Sequence, residues 1–232
     1  IDNDCDGDKD DNDDQLESCP PVTCEGSYTI TSDTDGDWDD ITHCTHITGT
    51  LKFTNGEVTS LAELTLLDGV GGDLEIRKIT NLPNLMGLHY LESVGEDVIV
   101  YDSDDLQDLT GLDSLESIGG GLAIEKCSSL DEIATLSALT SLGGDIEISQ
   151  NYSLDVLNGL NGLVSFDGDL IMDLNETMTA VEGLASLTLV GSINLSRNYM
   201  LESLDGLSGI TQAHGIMLHN NNGLTHLQGL SG

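Results

Sequence analysis

The start of the chain carries carboxylates at a regular spacing that suits a divalent cation. Asp2, Asp4 and Asp6 alternate with other residues, Gly7 follows, and further acids come at Asp8, Asp10 and Asp13. Alternate residues of a tight loop direct their oxygens to one centre, and a glycine permits the sharp turn. Ca²⁺ takes about six to eight such oxygens. The spacing predicts a calcium-binding loop, with an unfolded acidic tail as the alternative.

A second acidic cluster follows in the string TSDTDGDWDD, around Gly36. Its carboxylates belong to Asp33, Asp35, Asp37, Asp39 and Asp40. The D-x-D-G core is present, but the twelfth position is Thr42, so this loop departs further from the pattern. We expect calcium here too. Mg²⁺ is disfavoured because it prefers fewer protein ligands and more water.

Four cysteines crowd the same region: Cys5, Cys19, Cys24 and Cys44. Clustered cysteines among acidic loops indicate an oxidising, extracellular setting with disulfides. We favour the pairs Cys5–Cys19 and Cys24–Cys44, while pairing of Cys5 with a cysteine before Ile1 stays open. Cys127 stands alone and is expected to be a small buried hydrophobe.

The charge balance restricts the possible partners. The chain has 42 acidic residues against 6 basic ones, a net charge of −36. Phosphates could not be neutralised, so nucleic acid and anionic membrane surfaces are excluded as partners. No run of about 18 apolar residues occurs, so no membrane insertion is expected.

From Gly49 onward the sequence repeats with a period of 23 to 24 residues, as in EDVIVYDSDDLQDLTGLDSLESIG at 96–119. Each of eight units begins with two apolar residues that are separated by a single residue, and this alternation predicts a short strand. Apolar residues then recur every third position, which favours 3₁₀-like turns. Such coils must stack on their neighbours to bury the apolar row. The sequence therefore predicts a mainly β solenoid with one parallel sheet, in two parts: a calcium-loop segment at 1–43 and the solenoid at 44–232.

Asparagines occupy the same place after the strand in the last four coils: Asn151, Asn175, Asn198 and Asn221. We expect their amides to form a hydrogen-bonded ladder along the solenoid. Ile1 falls inside the metal motif and Gly232 inside a repeat. We therefore expect the chain to be part of a longer protein, with the solenoid truncated at its C-terminus.

Two resemblances extend this interpretation. Residues 2–7, DNDCDG, resemble thrombospondin type 3 repeats and the metal-binding motif of bacterial surface proteins, which implies calcium at the first loop. Residues 44–232 resemble leucine-rich repeats of the receptor L-domain type, in strings such as GLDSLESIGGGLAIEKCSSL and CTHITGTLKF. That resemblance implies a right-handed solenoid and extracellular recognition or adhesion, without catalysis.

The outward residues of the strands form the expected partner-binding face, which includes Asp73, Glu75, Asp97, Ile99, Tyr101, Glu147 and Ile171. The alternative is that these residues form a solvated acidic surface. We expect a secreted, calcium-stabilised, non-enzymatic adhesion or assembly module of a cell surface or extracellular fibre, which self-associates. The second hypothesis is a receptor-type recognition domain that binds a glycan or protein on this face.

Overall fold

The predicted apolar pairs form strands of one long parallel sheet. The structure of the protein is a computed structural model that describes residues 21–231. Strands are numbered in chain order, and nine of them make this sheet: β2 (Tyr28–Ser32), β4 (Leu51–Glu57), β6 (Leu74–Arg77), β8 (Val98–Tyr101), β10 (Leu122–Glu125), β12 (Ile146–Ser149), β14 (Leu170–Asp173), β16 (Leu189–Ser196) and β17 (Gln212–His219). Each strand pairs in parallel with the next, so the chain is a parallel β-solenoid of about eight coils.

Two smaller parallel sheets accompany the predicted one. Six two-residue strands form the larger of them: β1 (Thr23–Cys24), β3 (His46–Ile47), β5 (Gly69–Val70), β7 (Ser93–Val94), β9 (Ser117–Ile118) and β11 (Ser141–Leu142). The other joins β13 (Val156–Leu157) and β15 (Ala180–Val181). The six-stranded sheet pairs the earlier coils just before their main strands, and the two-stranded sheet pairs two later coils after their main strands.

The core is a continuous apolar column inside the coils. The predicted inward pairs are buried from Leu51 and Phe53 to Ile193 and Leu195. In the last pair Ile216 remains 49% exposed, because β17 has a strand neighbour on one side only within the described residues. Stacking of identical positions therefore buries these residues, as expected for coils that cannot bury their own apolar row.

The three-residue apolar period corresponds to successive tight turns. Leu88 N–H donates to the Leu85 carbonyl at 3.1 Å, and Leu91 N–H donates to the Leu88 carbonyl at 2.9 Å. Where such turns are regular they form 3₁₀ helices, at Ala134–Ala138, Asp205–Leu207 and Gln228–Leu230. Gly111 enters this region with φ of +114°, and a Cβ there would lie 2.0 Å from the Leu85 oxygen. The glycine is therefore required by both its conformation and its packing.

The predicted asparagine ladder is present. Asn175 Nδ2 donates to the Ile148 carbonyl at 2.8 Å, and Asn175 Oδ1 accepts the Asn151 N–H at 3.1 Å. Asn151 and Asn198 repeat both bonds one coil away. All three side chains are fully buried, and the ladder continues to Asn221. Each amide satisfies two backbone groups that would otherwise be buried without partners.

The segment before residue 44 joins the solenoid directly. Strand β1 pairs with β3, and β2 pairs with β4. The helix α1 (Asp37–Ile41) connects β2 to β3 along the chain. The Trp38 indole donates to the Ser32 carbonyl at 2.8 Å and packs 6.0 Å from the Phe53 ring. Cys24 and Cys44 form the favoured disulfide, across a Cα–Cα distance of 5.9 Å. Within residues 21–231, no helix has the length and hydropathy to cross a membrane.

Candidate functional site

Part of the predicted metal and disulfide set lies outside the described residues. This applies to the first acidic loop and two cysteines: Asp2, Asp4, Asp6, Asp8, Asp10, Asp13, Cys5 and Cys19. The second acidic cluster is described in full. It occupies the turn after β2 and the first turn of α1.

The second cluster opens onto a hollow of about 530 Å³. Asp33, Asp35 and Asp39 line it together with Trp38. The sequence interpretation missed a fourth carboxylate, Glu63, which comes from the following coil. Nothing in its immediate sequence distinguishes Glu63 from other surface acids, because only the stacking of coils brings it to the hollow.

Two of these carboxylates already have hydrogen-bond partners. Asp33 Oδ1 accepts the Thr59 N–H at 2.7 Å, and Asp35 Oδ2 accepts the Thr31 hydroxyl at 2.7 Å and the Thr31 N–H at 3.0 Å. The Thr31 hydroxyl, followed by backbone N–H groups, lowers the pKa of Asp35. Asp35 is therefore held ionised by hydrogen bonds that also fix the loop.

The donor set at the hollow fits the chemistry of calcium. All four carboxylates offer hard oxygen ligands, as Ca²⁺ prefers. Within residues 21–231, however, the one group of three acidic, His or Cys side chains with ligand atoms within 4.8 Å of one another is Cys24, His43 and Cys44. That group is a disulfide beside a histidine, so its sulfurs carry no thiolate for a metal. No three carboxylates of the hollow therefore have oxygens within 4.8 Å of one another among the described residues, and calcium would have to draw them together.

The outward face of the nine-stranded sheet carries two rows of side chains in register. The first row runs through Lys52, Glu75, Ile99, Ala123, Glu147, Ile171, Asn194 and Met217. The second row runs through Thr54, Arg77, Tyr101, Glu125, Ser149, Asp173, Ser196 and His219, of which Ser149 is buried. Five predicted face residues, Glu75, Ile99, Tyr101, Glu147 and Ile171, belong to these rows. Rungs about 4.8 Å apart hold each row straight.

Acidic side chains concentrate in the middle of this face. Burial raises the pKa of Glu147, and the neighbouring carboxylates of Glu125, Asp145 and Asp173 raise it further. Asp173 is paired with Arg197 from the next coil. The ionised form of Glu147 is therefore destabilised in this part of the face.

The remaining two predicted face residues have structural bonds that the sequence did not reveal. Asp73 Oδ1 accepts the Asp97 N–H at 3.0 Å, and Asp97 Oδ1 accepts the Gly121 N–H at 2.6 Å. Asp145 and Asp169 make the same bond to the following coil. These four residues form an aspartate ladder at the start of the strands. Gly121, which has no side chain, interrupts it.

Basic and aromatic side chains meet on the first half of the face. Lys52 Nζ lies 3.0 Å from Glu75 Oε2, and Arg77 Nε bonds the same oxygen. Burial alone would raise the pKa of Glu75, but hydrogen bonds from Arg77 and Lys52 lower it overall. Lys126 Nζ lies 2.6 Å from the Tyr101 hydroxyl and 4.7 Å from the centre of its ring.

Fold and face together define a disulfide-containing parallel β-solenoid with an acidic sheet face and an acidic hollow beside its first coil. No protein-family model, no curated protein and no solved structure matches the chain.

Proposed function

We propose that the protein is a secreted, calcium-stabilised, non-enzymatic adhesion or assembly module of a cell surface or extracellular fibre. Its coils would be leucine-rich repeats of the receptor L-domain type, which resemble this sequence in residues 44–232. The disulfide Cys24–Cys44 supports an oxidising, extracellular location. The net charge of −36 supports a molecule that works with cations around it.

The observation that carries the proposal is the registered sheet face. Two rows of outward side chains cross eight strands without a break in pairing. A surface fixed by backbone pairing loses little conformational entropy when a partner docks, so it suits contacts with other macromolecules. Self-association through such acidic surfaces requires cations, because like charges about 5 Å apart repel by about 1 kcal/mol even in water.

Calcium would serve two purposes in this proposal. At the hollow, Asp33, Asp35 and Asp39 would hold the ion together with Glu63, while Asp37 and Asp40 lie on α1 outside the lining and would add negative charge nearby. The first loop would bind a second ion. Bound calcium would fix the entry to the first coil, next to Trp38. Between molecules, calcium would reduce the repulsion of acidic faces.

Sedimentation velocity tests the assembly. In millimolar calcium we expect species larger than the 24.6 kDa monomer, which return to monomer in excess EGTA. A monomer in both buffers at concentrations up to about 100 μM would overturn self-association.

Titration calorimetry tests the calcium site at the hollow. The variant Asp39→Asn with Glu63→Gln removes two lining carboxylates for which no hydrogen bond is present in the described structure. We expect it to lose the heat of one site. The control Glu182→Gln with Glu202→Gln removes two charges from two distant coils and should keep all sites. Equal heats from the two variants would exclude calcium from the hollow.

The second candidate function is recognition of a separate glycan or protein by the sheet face. It is favoured by the apolar and aromatic side chains of Ile99 and Tyr101, which lie in adjacent rows of the sheet face and could contact one ligand. A monomer that still binds a ligand would select this function.

A further inference from the structure

The few basic residues of this acidic chain are gathered in one place. Of its 6 lysines and arginines, four lie on or directly after the strands β4, β6 and β10 of the nine-stranded sheet: Lys52, Arg77, Lys78 and Lys126. Glu75 forms ion pairs with Lys52 and with the Nε of Arg77. Pairing with acidic residues does not explain this grouping, because a basic residue would find acidic neighbours almost anywhere on a chain of this charge.

Tyr101 lies at the centre of this group, between cations on its two neighbouring strands. Arg77 is its register partner on β6, with Cζ 5.7 Å from the ring centre. Lys126 follows β10 on the other side and holds the hydroxyl at 2.6 Å. Cation–π contact on the ring and the hydrogen bond to the hydroxyl hold the three groups together. We call Arg77, Tyr101 and Lys126 the donor cluster.

The donor cluster has protons without acceptors in the described part of the chain. Arg77 gives only its Nε–H to Glu75, so its two terminal nitrogens are available. The Lys126 ammonium can only donate, so the Tyr101 oxygen accepts from it and keeps its own proton for another group. The hydrogen bond with Tyr101 also raises the pKa of Lys126, which stays charged. Arg77, Tyr101 and Lys126 each have an N–H or O–H left to donate, and neighbouring donors of this kind match an oxyanion.

A groove with an apolar floor and three carboxylate residues lies on the same face. Its volume is about 370 Å³, within the range of about 300–1,000 Å³ typical of small-molecule sites. It opens where Gly121 interrupts the aspartate ladder, and Ile99 and Ala123 form part of its floor. Asp97, Asp145 and Glu147 contribute carboxylates to its lining. These carboxylates can accept hydrogen bonds from the hydroxyl groups of a ligand, whereas they would repel an anionic group of the ligand.

From the donor cluster and the groove together we infer a binding site for an acidic oligosaccharide, with the carboxylate or sulfate of one sugar at Arg77, Tyr101 and Lys126 and hydroxyls of the neighbouring sugars at Asp97 and Glu147. Asp97 and Tyr101 are four residues apart along the strand, about 13 Å, so more than one sugar is needed to reach both. A peptide of acidic residues lacks the hydroxyls, and a neutral glycan lacks the anion. This inference deepens the recognition form of the proposed function and rests on it.

Calorimetry with three tetrasaccharides tests the site: a glucuronate-containing one, a sulfated galactan and neutral cellotetraose. We expect the protein to bind at least one of the acidic pair and not cellotetraose. Which acidic sugar binds distinguishes carboxylate from sulfate. If neither acidic sugar binds at about 10 mM, the inferred sugar site is wrong, whatever sedimentation shows about assembly. If the protein binds an acidic sugar but sediments as a monomer in both buffers, only self-association is overturned.

Substitutions locate the binding. Arg77→Gln and Tyr101→Phe each remove donors and keep most of the side chain, and each should weaken binding by about tenfold, as for a hydrogen bond to a charged group. Glu125→Gln, which removes a negative charge in register with Tyr101, should strengthen it. The matched control Arg197→Gln removes an arginine elsewhere on the chain and should leave affinity unchanged. Circular dichroism checks that each variant is folded. If Arg77→Gln and Arg197→Gln bind the acidic tetrasaccharide with equal affinity, the sugar does not bind at the donor cluster and the inference is wrong.

Discussion

Replacing Asn175 by alanine should destabilise the solenoid strongly, although the residue touches no ligand and adds little apolar area. Its amide donates to the Ile148 carbonyl at 2.8 Å and accepts the Asn151 N–H at 3.1 Å. Both backbone groups belong to the preceding coil, and Asn175 is fully buried. Each orphaned buried group costs about 1–3 kcal/mol, so we expect a loss of about 2–6 kcal/mol in the free energy of unfolding.

Urea unfolding followed by circular dichroism measures that loss, and thermal unfolding gives an independent value. A loss of about 3 kcal/mol corresponds to a fall in Tm of about 6–12 °C for a domain of this size. The control is Asn194→Ala on the sheet face, where the side chain accepts only the Ser196 hydroxyl. That change should cost under about 0.5 kcal/mol. Similar losses in the two variants, or a loss under about 1 kcal/mol for Asn175→Ala, would refute the ladder as a source of stability.

Three further changes test the packing and charge of the coils. Cys127→Asn places an amide at the coil position that the ladder asparagines occupy in later coils, and should raise the free energy of unfolding by about 1 kcal/mol in urea titrations. Gly111→Ala should lower it by about 3 kcal/mol or more, because of the clash and the positive φ, whereas Gly36→Ala meets no atom within 4 Å and serves as the control. Glu147 has a raised pKa in the folded state, so its ionised form opposes folding above that pKa. Glu147→Gln should therefore raise Tm at pH 7, and the advantage should shrink as the pH falls to about 4; an advantage that grows on acidification would contradict this sign.

The regular period made most of the fold predictable. Pairs such as Ile146 and Ile148 alternate in sequence, and alternation fixes which side chains enter the core. The asparagine ladder was predictable for the same reason, since equal positions in successive coils must lie one above another. The burial of Cys127 was also predicted and is confirmed, and burial raises the pKa of its thiol to about 12.

The remainder depended on contacts that leave no local pattern. Strands of two residues, such as Ser117–Ile118, show no alternation, so the smaller sheets were not predicted. In sequence, an outward carboxylate that bonds the next backbone looks the same as one that faces solvent. This is why Asp73 and Asp97 were assigned to the partner face alone. Glu63 reaches the acidic hollow from another coil, and the distance between coils is invisible along the chain.

The two ladders also define how this molecule can change in evolution. Each link joins one coil to the next across 23 or 24 residues, as between Asn175 and Asn198 or between Asp73 and Asp97. A duplicated block of that length would meet a complete set of donors and acceptors on both sides. A block of half that length would place apolar side chains opposite the amides. Inheritance should therefore add or remove whole coils, and each addition would lengthen the sheet face by about 4.8 Å while keeping its chemistry.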